Sequence, residues 1–172
     1  RGEQRALLSR IAELTHREGV QLVLLAGDLF DSDTTYRETL EALSEALGAM
    51  QARVFIAPGN HDPYTPDGPY ARTLWPDNVH IFTEDRMQAV TFPELGCTVY
   101  GAAFTAPELP EDHVLAGFTA PEDGLIHIGL LHGDVTGGDS RYRPLTTASI
   151  AASGLDYLAL GNVHGCTGAV RA

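Results

Sequence analysis

Apolar and polar positions along this chain alternate between two periods. Leu22 to Ala26 is an unbroken apolar run, the pattern of a strand buried on both faces, and it stops at Gly27. Arg53 to Ala57, Leu125 to Leu131 and Tyr157 to Leu160 repeat that pattern, each followed by glycine, proline or a polar residue. A helical period governs Arg1 to Glu18, where Leu7, Ile11 and Leu14 share a face with Leu8 beside them and Gly19 suits the C-terminal cap. Thr34 to Met50 repeats the period through Leu40, Leu43 and Leu47. A helical turn is expected near Tyr70 to Trp75 and a short helix at Thr146 to Ala152.

The middle of the chain reads differently. Val79 to Phe82, Met87 to Phe92 and Cys97 to Gly101 look like closely spaced antiparallel strands, and Phe104 to Gly124 like a loop around one short helix. The strand at Leu22, the helix after it and the strand at Arg53 form a β-α-β unit, expected to be parallel and right-handed. The fold class is therefore α/β, with two packed sheets and helices outside, in one domain over residues 1–172.

The strand ends carry the chemistry. Asp28 and Asp31 follow the first, Asn60-His61-Asp62 the second, His132-Gly133-Asp134 the third and Gly161-Asn162-Val163-His164 the fourth. Any one of these is ordinary turn or capping chemistry. Together they describe a metal cluster built from loops on one sheet edge, where open α/β sheets bind ligands. Asp28 has two oxygens with which to bridge a pair of ions, Asn60 a neutral carbonyl, and His132 and His164 ring nitrogens. This donor set suits Mn, Fe or Zn. His61 stands beside a ligand, where it can protonate a leaving oxygen or stabilise a pentacoordinate phosphorus. Asp31 is placed to orient it.

Composition sharpens this picture in two ways. The chain's 172 residues carry a net charge of −12, which speaks against a simple basic nucleic-acid surface. Bound divalent cations would reverse that sign locally and admit a phosphate. The chain has 2 cysteines, Cys97 and Cys166, far apart and with no disulfide framework, so a reducing cytoplasm is the expected setting. No apolar run approaches a membrane span, no signal-peptide pattern opens the chain, and no membrane partner is expected.

Gly27-Asp28-x-x-Asp31, Gly59-Asn60-His61-Asp62, His132-Gly133-Asp134 and Gly161-x-x-His164 resemble, in order and separation, the calcineurin-like metallophosphoesterases. The resemblance covers nearly the whole chain. Gly27-Asp28-Leu29-Phe30-Asp31-Ser32, Asn78-Val79-His80-Ile81-Phe82 and Ser140-Arg141-Tyr142-Arg143-Pro144-Leu145 are further similar to the bacterial SbcD/YhaO type of DNA-repair exonuclease. The resemblance implies a four-layer α-β-β-α sandwich of two mixed sheets. It also implies two divalent ions, Mn2+ first, and phosphodiester hydrolysis by in-line attack of a metal-bridging hydroxide. Asp28 becomes the bridging ligand, Asn60 and His132 ligands of the second metal, His164 a ligand of the first, and His61 the catalytic histidine held by Asp31. DNA would be the substrate and an SMC-like ATPase the partner, with a homodimer also open.

Two departures bear on activity. The family's opening Asp-x-His strand has no counterpart before Asp28, and Asn162 stands where a second-metal histidine is expected. An amide oxygen binds a transition metal less strongly than imidazole does. The chain is accordingly read as an internal piece, lacking a first strand and a C-terminal part. Two alternatives stay open: a phosphatase or nucleotide phosphodiesterase of the same superfamily, and a catalytically impaired scaffold that binds the ATPase.

Other polar residues have plainer readings. Asp62 and Asp134 are expected to bond turn amides, and His16, His80, His113 and His127 to be ordinary surface or strand residues. Arg141 and Arg143 are expected to be solvated, with contact to substrate phosphate as the alternative. Trp75, Tyr64 and Tyr70 are expected to pack rather than stack on bases.

Overall fold

The computed structural model describes residues 2–31, 37–135 and 139–162. Two sheets form. The first has strands β1 (Leu22–Leu25), β2 (Arg53–Ile56) and β3 (Val79–Ile81), all parallel in the order β1-β2-β3. The second holds β4 (Gln88–Phe92), β5 (Cys97–Gly101), β6 (Ile126–His132) and β7 (Tyr157–Gly161) in that order. Only β4 and β5 run antiparallel; β5, β6 and β7 are parallel to one another. Among the described residues four α-helices accompany them: α1 (Gly2–Arg17), α2 (Arg37–Gly48), α3 (Pro69–Arg72) and α4 (Thr147–Ala152).

Alternation along the strands explains the layering. In β2, Phe55 and the following Ala57 join Phe82, Val99 and Leu130 between the sheets. Val54 and Ile56 point the other way, against Leu47 and Met50 at the end of α2. In β6, Leu131 turns outward with Leu145, Leu115 and Ile150 of α4. Each sheet thus has one face toward its partner sheet and one toward helix or loop, as expected of the α-β-β-α sandwich.

Three expectations need correction. β1 is half-buried along its whole length, not buried on both faces. It lies at the end of the first sheet's order and pairs with β2 alone among the described strands, while in β2 Val54, Phe55 and Ile56 are buried and Arg53 is exposed. The Val79 strand is not part of an antiparallel section, because β3 joins β2 in parallel. The chain crosses to the second sheet only after Phe82, whose amide donates to the Ile56 carbonyl at 3.0 Å. No helix forms between Phe104 and Gly124. There the Asp112 side chain accepts from the Val114 and Leu115 amides, and Leu115 anchors the loop in the core.

Candidate metal centre

Sheet topology brings the carboxyl ends of β1, β2, β6 and β7 to one place. The end of β1 is held by the second sheet: the Ala26 carbonyl lies 2.7 Å from His132 Nδ1. The same carbonyl is crossed by Gly161, where a Cβ would collide with it. The Gly133 amide completes the junction by donating to the Gly161 carbonyl at 3.1 Å. On the other side Gly59 packs so tightly on Asp28 and His132 that any side chain there would strike the Asp28 carboxylate. Asp28 itself takes φ 53°, a left-handed conformation that Asp tolerates better than most residues.

His132 is the last residue of β6 rather than the first beyond it, and its side chain is nearly inaccessible. A carbonyl can only accept, so Nδ1 carries a proton and donates it to Ala26. That leaves Nε2 facing Asn60 Oδ1 at 2.9 Å and Asp28 Oδ2 at 3.3 Å. As the side chains are placed, three acceptor atoms converge, an arrangement that a proton or a cation between them satisfies. Ligand atoms about 2.1 Å from an ion and at right angles to each other stand roughly 3.0 Å apart. The two observed separations fit that spacing, so the residues present suit a divalent ion. Among the described residues no three Asp, Glu, His or Cys side chains form such a group. The third donor here is the Asn60 amide oxygen, which favours a hard or borderline cation.

Electrostatics agree with the geometry. Burial pushes the Asp28 carboxyl up, yet the His132 ring and the His61 amide, which donates to Asp28 Oδ1 at 3.0 Å, bring it below its ordinary value. Burial likewise pulls His132 down, but Asp28 and the Ala26 carbonyl outweigh it and raise its pKa. A proton on Nε2 thus competes with a metal. Divalent-ion affinity is expected to rise with pH until His132 is deprotonated, approaching tenfold per pH unit on the acid side. Titration calorimetry with Mn2+ between about pH 5.5 and 8.5 reads this directly; a flat profile would remove His132 from the ligand set. The metal-free chain should behave oppositely. The raised His132 stabilises it below the unfolded histidine pKa and less as pH climbs through the folded one.

Asp62 lies beneath this pair, fully buried. One oxygen accepts from the Asp28 amide at 2.9 Å and the Gly59 amide at 2.7 Å. The other accepts from the Leu29 amide at 2.8 Å and the Tyr70 hydroxyl at 2.7 Å. Burial raises the Asp62 pKa despite these donors. It is a turn aspartate as expected, but it bonds two strand-end loops instead of one.

The remaining candidates are placed as follows. His61 is exposed next to Asp28, and Asp31 is exposed at the end of the β1 loop. Asn162 follows β7 with φ 131°, well outside the left-handed helical region at about +60° that asparagine tolerates. His164 and Cys166 lie outside the described residues. Tyr70 and Trp75 pack in the α2-side core, the Tyr70 ring tilted against those of Phe30 and Trp75. His127 is a buried strand residue bonded to Tyr100 and Asp123. Arg141 is exposed and pairs with Glu108, but Arg143 overturns its expectation: it is 1% exposed, its guanidinium 2.7 Å from the Ala103 carbonyl and 3.1 Å from that of His132. Nothing in the run Tyr142-Arg143-Pro144 separates a buried arginine from a solvated one, since both contacts are long-range.

The chain is 35% identical over 156 residues to a Bacillus subtilis (strain 168) protein named uncharacterized metallophosphoesterase YhaO. The match covers 86% of this chain and 38% of that relative, so the chain spans well under half of the relative's length. The calcineurin-like phosphoesterase family profile matches residues 1–166, a span that takes in every strand end described above. On both grounds the chain belongs to the calcineurin-like phosphoesterases, a family of metal-dependent phosphoester hydrolases.

Proposed function

We propose that this domain hydrolyses phosphodiester bonds in DNA, as the nuclease part of a DNA-repair exonuclease. The observation that carries the reading is the meeting of Asp28, Asn60 and His132 lone pairs with His61 exposed beside them. Asp28, Asn60 and His132 would hold one divalent ion, and Asp28 with His164 would hold the other; Mn2+ is the proposed metal, with Fe or Zn as substitutes. Such ions, when bound, neutralise phosphate charge and supply a nucleophile at neutral pH. Asp28 keeps its charge because its carboxyl is held below the ordinary range. His61, being exposed, meets the scissile phosphate and gives a proton to the leaving oxygen, with Asp31 orienting its ring. The chain's charge of −12 leaves grip on the polyanion to a partner, for which an SMC-like ATPase in the cytoplasm is the proposal.

One observation favours a second reading. Asn162 occupies the strand-end position where imidazole is expected, which weakens a transition-metal site and suits a scaffold that binds the partner without turnover. The intact natural protein decides between them when given linear duplex DNA, nucleotides and an aryl phosphate with Mn2+. Cleavage of DNA that falls by about 100-fold or more in His61→Ala, with Mn2+ binding kept, supports the nuclease. Turnover of the small phosphoesters alone assigns a phosphatase or nucleotide phosphodiesterase. No turnover of any of them, with ATPase binding unaffected by His61→Ala, assigns the scaffold.

A further inference from the structure

Arg143 is an expensive residue in an unexpected place. Its side chain is among the largest fully buried ones, and its backbone takes φ 49° without being glycine. Among the described residues its guanidinium bonds carbonyl oxygens, with Asp85 and Asp112 acting through space. A buried cation without a bonded carboxylate is costly, and a methionine or leucine would fill the volume more cheaply. Left-handed backbone at a non-glycine residue adds to the cost and marks positions held for a reason other than stability.

What Arg143 touches supplies the reason. One nitrogen donates to the carbonyl of His132 at 3.1 Å, the other to that of Ala103 at 2.7 Å. The guanidinium lies over the Phe104 ring, 4.7 Å from its centroid. That ring meets His132 edge-on, at 5.5 Å and 89°. Phe104 is also bound through its backbone to the loop that carries Asn60: its amide donates to Pro58 at 2.8 Å, and its carbonyl accepts from Tyr64 at 2.7 Å. Phe104 is thus a wall between two strand ends, and Arg143 braces it from behind while gripping the His132 backbone.

We propose that Arg143 is a positioning residue for the Asn60–His132 half of the metal centre, setting the His132 ring through its own carbonyl and through the Phe104 wall. The inference rests on the metal-centre reading above. A planar fork that bonds two carbonyls and stacks on a ring is a task for which lysine is a poor substitute. The contacts also account for burying the charge here: they fix the direction of Nε2, on which ligand spacing depends.

The test uses the intact natural protein and Mn2+ alone, titrated by calorimetry, together with nitrogen NMR of the histidine side chains in the metal-free state. Arg143→Met and Phe104→Leu are each expected to weaken Mn2+ binding about 10- to 100-fold and to shift the His132 ring signals. The double variant should lose less than the product of the two, because both act through one wall. Wild-type affinity and unshifted ring signals in Arg143→Met would overturn the proposal, as would multiplicative losses in the double variant. If Arg143→Met fails to fold, Arg143→Lys answers instead: it keeps a buried cation but loses the fork, so weaker binding supports the proposal and wild-type binding ends it. His132→Ala separates this proposal from the reading beneath it. Mn2+ affinity unchanged in His132→Ala removes the metal centre itself and this proposal with it. A loss in His132→Ala with none in Arg143→Lys or Phe104→Leu removes the positioning role alone.

Discussion

Replacing Asp62 by alanine is expected to destabilise the domain by about 3–5 kcal/mol. The substitution removes one small side chain from a site with no exposure, yet it strands the amides of Asp28, Leu29 and Gly59 and the hydroxyl of Tyr70 together. Each stranded donor costs on the order of 1–3 kcal/mol when water cannot replace the acceptor. Relief of the Asp62 burial penalty, visible in its raised pKa, and entry of a water offset part of the sum. Against a total stability of roughly 5–15 kcal/mol for a domain of this kind, the loss should move the urea midpoint far down. Tyr70→Phe removes one donor and no acceptor, and should cost only about 1 kcal/mol. Equal midpoints for Asp62→Ala and wild type would mean that the two loops are held by something else. Mn2+ should also rescue the variant poorly, because Asp28 and Gly59 lose their shared anchor.

Gly161→Ala should damage the candidate metal centre without touching any of its proposed ligands. An added methyl would collide with the carbonyl oxygen of Ala26 and press on its Cβ. The atom in the way is backbone, so the strand ends must separate, and forced separations of this kind cost about 1–3 kcal/mol. Function should suffer more than stability. The displaced carbonyl is the one that takes the His132 Nδ1 proton and so aims Nε2 at Asp28 and Asn60. Loss of such a supporting hydrogen bond typically lowers metal affinity about 10- to 100-fold. Calorimetric titration with Mn2+, beside a thermal melt without metal, checks both parts. A variant that melts lower yet binds Mn2+ as wild type does would show that the Ala26 contact does not orient His132.

Much of this architecture is visible in the order of residues. Uninterrupted apolar runs of strand length and helical repeats of leucine are local properties, and α2, β2, β4, β5, β6 and β7 form close to where those patterns lie. Asp28, Asn60 and His132 were legible because strand-end glycines and prolines mark where backbone turns and where polar side chains gather. His61, Asp31 and His164 were legible on the same grounds, and the family's ordered motifs added Asn162; His164 lies outside the described residues.

Tertiary structure decided what depends on contacts far apart in the chain. Partner choice among strands is one case: Val79 to Ile81 has the same pattern whether it pairs with β2 or with β4, and parallel pairing with β2 sets the half-buried Val79 and Ile81 against the core that holds Leu47 of α2. Burial is another: β1 reads as fully apolar, yet it is half-buried along its length and pairs with β2 alone among the described strands. Asp62 and Arg143 show the same limit at the site. Their residue types and neighbours suggest a turn carboxylate and a solvated cation, because hydrogen bonds across dozens of residues leave no local trace. By itself the sequence determined which side chains stand at the strand ends. Packing of the two sheets across Ala26 and Gly161 decided that three of them meet within ligand distance, since that contact exists only between elements distant in the chain.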